Sequence, residues 1–384
     1  MDKICYIYRI KLFFLSKSNK KSALSEIHGV EQPETYSRVV ANQIQQFRRK
    51  QPSVKELIDG ILKGDKTALS RAITLVESTN SEHLSKANEV VKGCLPHANN
   101  SVRIGITGVP GVGKSTFIDL LGCQALDRGH RVAVLAVDPS SAKSGGSILG
   151  DKTRMQRLVT RDQAFVRPSP AGTMLGGTAR ATQEAMDLCR FAGFDWVLVE
   201  TVGVGQNEIE VSNLVDWTLL VLLGRSGDEL QGIKRGIVEA ADTVLINKAD
   251  GDGLEAALQT CSFYRSALAL FPPHPLDGWK VPCLTMSALQ ETGLEDFWDT
   301  LHTLQALPGY EPWLRHKRSE QRVHQYRRKL NQALWTAMGE GRGSELGPSI
   351  EDGVRNGKDS PASAVAKTLE ALGLSGHRMN QALQ

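Results

Sequence analysis

Gly108 to Ser115 reads GVPGVGKS, and Asn247 to Asp250 reads NKAD. The first fits G-x-x-x-x-G-K-[ST], in which successive backbone N–H groups and one lysine surround a polyphosphate while the terminal hydroxyl ligates Mg²⁺. Lys114 would neutralise the β and γ phosphates and Ser115 would hold Mg²⁺. Gly108, Val109, Pro110, Gly111, Val112, Gly113 and Thr116 complete the candidate loop. In the second run Asp250 supplies a carboxylate that accepts hydrogen bonds from the ring N–H and exocyclic amine of guanine. Adenine offers no such donor pair. Asn247 and Lys248 belong to the same candidate site, joined by Ser287, Ala288 and Leu289 where the last apolar strand ends. The two runs together imply GTP and GDP as the bound nucleotides.

Acids between these runs have the spacing of a metal and γ-phosphate site. Asp138 ends an apolar run and opens DPSSAKSGGSILGDKTRM. A carboxylate at a strand's C-terminal edge is placed to bind Mg²⁺ directly or through water; the plain alternative is a turn residue. Asp151 is a second metal-directed carboxylate in that glycine- and serine-rich run, or else a helix N-cap. Glu200 ends DWVLVE and precedes Gly203. GTPases usually place an aspartate there, followed by a glycine whose N–H contacts the γ-phosphate; the longer glutamate reaches Mg²⁺ through a water or orients the attacking water. Gln206 is a further candidate for orienting water, or a solvated loop glutamine. The run GDELQGIK, with Asp228, Gln231 and Lys234, reads either as a capped helix start or as a nucleotide-sensing loop.

Positioning these groups requires an alternation of strands and helices. Apolar runs predict strands at Arg103–Thr107, Arg131–Asp138, Ala164–Arg167, Trp196–Thr201, Thr218–Leu223, Thr243–Asn247 and Val281–Ser287. Runs such as VAVLAVD and TLLVLL are apolar throughout, which suits strands covered on both faces, hence a mostly parallel sheet in an α/β fold. The phosphate loop falls between the strand RIGIT and the helix TFIDLLGCQAL, so bound phosphates would face a helix N-terminus. Ser53 to Lys92 has apolar residues at helical spacing and reads as a helical preface. After Pro308 the chain is polar and helical, with one apolar stripe at Leu330, Leu334 and Met338. A glycine-rich break over Gly339–Gly347 then precedes a last helix, Pro361 to Leu372. The divisions expected are a leader over 1–31, a helical extension over 32–100, a GTPase domain over 101–307 and a helical arm over 308–384.

Composition excludes little. A net charge of +4 over 384 residues, without a concentrated basic stripe, gives no argument for nucleic acid or a membrane surface. Cys5, Cys94, Cys123, Cys189, Cys261 and Cys283 are scattered, with no C-x-x-C, and read as buried thiols in a reducing compartment. No apolar run reaches the length of a membrane span. The first residues, ICYIYRIKLFFL, are broken by Arg9 and Lys11 and have neither the centre nor the cleavage site of a secretory signal.

VDPSSAKSGGSILGDKTRM, RPSPAGTMLGGTAR, ETVGVGQNEIEV, GDELQGIKRGI and INKADGD, in this order after GVPGVGKST, resemble the methylmalonyl-CoA mutase-associated GTPase family of the MeaB/ArgK type. The resemblance runs from about Ser53 to Leu372. It implies a P-loop NTPase G domain with an N-terminal helical extension and a C-terminal arm that makes a homodimer. It implies slow Mg²⁺-dependent GTP hydrolysis accelerated by a partner, and a chaperone role toward an adenosylcobalamin-dependent acyl-CoA mutase. By position it carries the metal and switch sites to Ser115, Asp138, Asp151 and Glu200, and a partner-sensing loop to Gln231 and Lys234. It implies a cytoplasmic protein, or a matrix protein in a eukaryote. The family commonly has serine and arginine where this chain reads Ala171 and Gly172. A metal-insertion GTPase, a kinase acting on an amino-acid transport protein and a GTP-gated scaffold are the alternatives.

Overall fold

The computed structural model describes residues 52–97, 100–138, 155–170, 177–201, 211–224, 235–339, 341–371 and 373. Asp151, Gly203, Gln206, Asp228, Gln231 and Lys234 lie outside them, as do Cys5 and the expected leader; of Asp138 only the backbone is described.

Helices come first, each opened by a polar cap. Ser53 and Glu56 form a capping box at α1 (Val54–Leu62), Asp65 caps α2 (Lys66–Glu77), and Asn80 caps α3 (Ser81–Cys94). The chain then alternates. The strands are β1 (Val102–Thr107), β2 (Val132–Asp138), β3 (Ala164–Pro170), β4 (Trp196–Thr201), β5 (Trp217–Leu223), β6 (Thr243–Asn247) and β7 (Cys283–Thr285). Between them run α4 (Lys114–Asp127), α5 (Gln156–Val159), α6 (Gly177–Phe191), α7 (Arg235–Glu239) and α8 (Leu254–Leu268). After β7 come α9 (Leu294–Ala306), α10 (Tyr310–Gly339), α11 (Gly341–Arg355) and α12 (Pro361–Ala371).

All seven strands are parallel, in the order β3-β2-β4-β1-β5-β6-β7. The connections lead away from β1 to one side for β2 and β3, and to the other for β5, β6 and β7. The carboxyl end of β1 is therefore the switch point at which an open α/β sheet leaves a crevice for ligands. On one face Ile104, Ile106, Leu198 and Val221 pack against Phe117 and Leu121 of α4 and Phe297 of α9. On the other, Val197 and Val199 pack against Met186 and Cys189 of α6. Ile61, Leu69 and Ile73 of the leading helices belong to this same core. Beyond β1, Leu220, Leu222 and Ile246 meet Ile237 of α7 and Cys261 of α8. Burial on both faces explains the continuous apolar runs, each buried Leu or Ile contributing about 1.5–3 kcal/mol. Cys94, Cys123, Cys189, Cys261 and Cys283 are free and buried.

The observed strands match those expected to within a few residues, and the differences lie at the sheet's edges. β3 continues through Pro168 and Pro170 as an edge strand, where a missing N–H costs no ladder bond. β7, the other edge, is only Cys283–Thr285: Pro282 has no N–H to give, and Ser287 pairs antiparallel with Thr292 rather than extending the ladder. One expectation is corrected. The run Gly339–Gly347 is not an extended break, because α10 reaches Gly339 and α11 begins at Gly341. Helical glycine costs about 1 kcal/mol each, which packing of α11 on α10 and α12 offsets.

α10 is fixed to the amino end of the sheet by buried charge. Asp216, just before β5, accepts from the Arg103 backbone N–H at 2.9 Å and from Arg103 Nε at 3.1 Å. Arg318 of α10 donates to its two oxygens at 2.9 and 2.7 Å. Arg318 also donates to the Ser101 carbonyl, and Gln321 links Arg103 to the Val215 carbonyl. Burial pushes the Asp216 carboxyl up, but the Arg103 charge and the bonds from Arg318 and Arg103 outweigh it and hold the group well below the usual carboxylate range. Asp242, before β6, is likewise held low: burial opposes, while the Lys317 charge and a His274 hydrogen bond prevail. Among the described residues no helix is long and apolar enough to cross a membrane.

Candidate functional site

The phosphate loop leaves β1 at Thr107 and enters α4 at Lys114. Its shape demands glycine at two places. Gly108 has φ +144°, and a Cβ there would stand 2.1 Å from the Val221 carbonyl oxygen; Gly113 has φ +92°, and its Cβ would stand 2.5 Å from Asn247 Nδ2. Gly113 is also the N-cap of α4 and makes no side-chain cap bond, so the first N–H groups of a 14-residue helix point into the loop. Such a helix start is an anion site. Pro110, Gly111 and Thr116 are exposed and Val112 is buried beneath, which leaves the loop's outer side open. The Lys114 ammonium donates to the Gly108 carbonyl at 2.8 Å and to the Val109 carbonyl at 3.2 Å, so it lies over the loop where phosphate oxygens compete for the same protons.

Ser115 Oγ donates to Glu200 Oε1 at 2.9 Å. The pairing follows from register: Ile106 of β1 stands beside Glu200 of β4, so β4 ends level with the loop's start. β2 and β4 pair as Val137 with Thr201, which sets the backbone of Asp138 at the same rim. A hydroxyl and a carboxylate in contact are hard oxygen donors of the type Mg²⁺ takes, and they fit that ion.

The candidate base site is built on β6 and the turn after β7. Asn247, the buried last residue of β6, donates from Nδ2 to the Val112 carbonyl at 2.7 Å and accepts the Ala288 N–H on Oδ1 at 3.0 Å. One side chain thus joins the phosphate loop to the 287–289 turn. Lys248 follows with φ +58°, turning the chain so that Asp250 meets Ser287, whose Oγ donates to Asp250 Oδ2 and accepts the Gln290 N–H at 3.1 Å. A carboxylate steered from one side by a hydroxyl keeps its remaining lone pairs for a planar donor pair. Lys248 and Leu289 are exposed and Ala288 is buried, leaving apolar side-chain surface beside that carboxylate.

The structure therefore brings together Gly108 to Thr116, Glu200, Asn247, Lys248, Asp250 and Ser287 to Leu289 at the carboxyl end of the sheet. Sequence reading did not single out the Asn247 contact with Val112 or the Ser287 contact with Asp250; both join residues far apart in the chain. It also passed over Asp119, whose one signal is a lone acid inside the otherwise apolar TFIDLLGCQAL.

Comparison with known proteins agrees with this geometry. A probable GTPase of Mycobacterium tuberculosis is 45% identical over 325 residues, covering 84% of this chain and 96% of its own. The mouse protein named methylmalonic aciduria type A homolog, mitochondrial, is 43% identical over 267 residues, 67% of this chain and 64% of its own. Among solved structures, one titled as a LAO/AO transport system kinase superposes with a TM-score of 0.66 at 30% identity, covering 84% of this chain and 99% of the other. The sequence pattern of the family described as methylmalonyl Co-A mutase-associated GTPase MeaB matches residues 69–341. With a glycine-shaped phosphate loop tied through Asn247 to a guanine-type base motif, the chain is a GTPase and belongs to the MeaB family.

Proposed function

We propose that this GTPase serves an adenosylcobalamin-dependent acyl-CoA mutase, hydrolysing GTP to GDP and phosphate to support cofactor loading, protection or reactivation of that enzyme. The observation that carries the reading is the Asn247 bridge between phosphate loop and base turn, in a chain whose family is described by its association with methylmalonyl-CoA mutase. Gly108 to Thr116 with Gly203 hold the phosphates, and Asn247, Lys248, Asp250, Ser287, Ala288 and Leu289 hold the base. Lys114 offsets charge on the β and γ phosphates, while Glu200 and Gln206 orient the attacking water. Ser115, Asp138, Asp151 and Glu200 are the residues that would hold Mg²⁺. When bound, the ion neutralises charge developing on the phosphate oxygens. A missing stabilising group costs roughly 10³ to 10⁵ in rate, so slow turnover alone and faster turnover with a partner follow. Asp228, Gln231 and Lys234 report the nucleotide to the mutase, which must bind the GTP and GDP forms with different affinity.

The arm over 308–384 makes the homodimer in this reading, following the extension over 32–100 and the GTPase domain over 101–307. Exposed Val323, Tyr326 and Leu330 lie at helical spacing on α10, which supports a protein contact there. We assign the protein to the cytoplasm, or to the matrix in a eukaryote, with residues 1–31 as a leader; neither nucleic acid nor membrane is a partner.

The test is GTP hydrolysis by the purified chain with Mg²⁺, alone and with the cobalamin-dependent mutase of the same organism, with ATP as control. Stimulation by the mutase and little ATP turnover are expected. No binding and no stimulation by any such mutase would overturn the client assignment and leave a GTPase with another partner.

A further inference from the structure

α5 is a single turn, and its own cap residue, Met155, makes no side-chain hydrogen bond to it. The Leu158 N–H is accepted instead by Asp119 Oδ1 of α4 at 2.9 Å. Asp119 is 8% exposed and stands four residues after Ser115, so both project from one face of α4, about 6 Å apart along the axis. One turn of that face meets Glu200 through Ser115; the next holds α5. Packing tightens the second contact: Met155 and Leu158 are fully buried, and a Cβ on Gly122 would come within 2.9 Å of both Leu158 methyl groups.

From the opposite side, Arg157 of α5 donates to Glu291 Oε1 at 2.5 Å. Glu291 belongs to the turn closed by the Ser287–Thr292 pair, the turn that carries Ala288 and Leu289. Its φ is +57°; among the described residues only Lys248 is another non-glycine with positive φ, and it too lies in the candidate base site. That backbone region disfavours any side chain, and glycine would occupy it freely. A glutamate kept there, with its carboxylate on Arg157, has its use in the contact.

We propose that Asp119 and Glu291 are positioning residues for GTP hydrolysis. They act through α5, which fixes where the chain that leaves β2 at Asp138 rejoins the fold, relative to both the phosphate loop and the base turn. The inference rests on the assignment of metal and γ-phosphate work to the acids flanking that stretch. Neither residue touches the nucleotide in this arrangement, so the effect falls on turnover and not on GDP affinity.

Single-turnover hydrolysis of GTP with Mg²⁺, titration with a fluorescent GDP and thermal midpoints of the full chain test it. Glu291→Gly relieves the backbone, so its midpoint is expected to equal or exceed wild type while GDP affinity holds; hydrolysis falls about threefold to fivefold, the scale of one surface ion pair. A structural role alone would not separate these readouts. Arg157→Glu should match that loss, and R157E with E291R should restore it. Asp119→Ala should lower turnover about tenfold or more, the scale of a displaced catalytic geometry; Asp119→Asn keeps an acceptor for Leu158 and should recover most of it. Turnover at the wild-type rate in Glu291→Gly and Asp119→Ala, or losses that only follow GDP affinity, would overturn the proposal. If Asp119→Ala does not fold, Glu291→Gly and the charge swap decide it. A wild type that turns over no GTP would remove the underlying assignment and the inference with it, whereas variants equal to an active wild type remove the inference alone.

Discussion

Asp250 and Ser287 carry the choice of base in the proposed reading. Hydrogen bonds to a charged acceptor are worth about 1.5–3 kcal/mol, so Asp250→Ala should weaken GDP binding by roughly ten- to a hundredfold while ADP binding stays as poor as before. Competition of GDP and ADP against a fluorescent GDP measures both; equal loss for the two would argue against base recognition. Gly113→Ala fails for a different reason. Its Cβ would press on Asn247 Nδ2 in a backbone region hostile to side chains, so the bridge to Val112 must break. Nucleotide affinity should drop by at least tenfold, on the order of 1.4 kcal/mol, with a lower thermal midpoint. Both residues were legible as members of motifs because each motif is local. Their mutual contacts were not, since Val112 with Asn247 and Asp250 with Ser287 are distant pairs that only the sheet order brings together.

At the scale of elements, α10 depends on charge that water never reaches. Removing one partner of a buried pair costs about 3–5 kcal/mol, so Arg318→Ala should lower the denaturant midpoint by that equivalent with an unchanged slope. Asp216 gives the pH test. Its carboxyl is depressed in the folded chain, so its contribution is fully present above about pH 4 and is lost as pH falls through the folded value. Asp216→Asn should therefore be destabilised at neutral pH, and the gap to wild type should narrow on acidification; urea titrations at neutral and acid pH check it. The strands were readable because burial on both faces leaves continuous apolar runs. Edge strands were the exception: Pro168 and Pro170 look like a stop until the order of the sheet shows that β3 has an open side. The glycines of α11 misled for a related reason, since propensity is outweighed by packing that no window of sequence contains.

The whole molecule has its two kinds of chemistry at opposite ends of one sheet. Nucleotide-facing groups gather at the carboxyl ends of β1, β4 and β6, and the ionic anchor of α10 sits at the amino ends of β1, β5 and β6. Anything that shifts β5 or β6 along its length is felt at both ends, and packed interiors transmit such shifts rather than absorb them. Arg318→Ala should thus also change the ratio of GTP to GDP affinity, which paired titrations of the two nucleotides measure; an unchanged ratio would mean that the anchor serves stability alone.

The anchor also has a history on the ribosome. Arg318 closes on the Ser101 carbonyl across 217 residues of chain, so the first strand of the sheet is made long before its last partner exists. At about 5–20 residues per second, roughly 10–40 s pass in which Arg103, and then Asp216, wait without Arg318. During that interval the nascent chain holds a nearly complete sheet with an unfinished charge cluster at its base. Chains that stall before α10 should accordingly be clients of the cell's holding chaperones and proteases, and a stop codon just before Tyr310 should yield protein that is degraded or insoluble, not a smaller working enzyme.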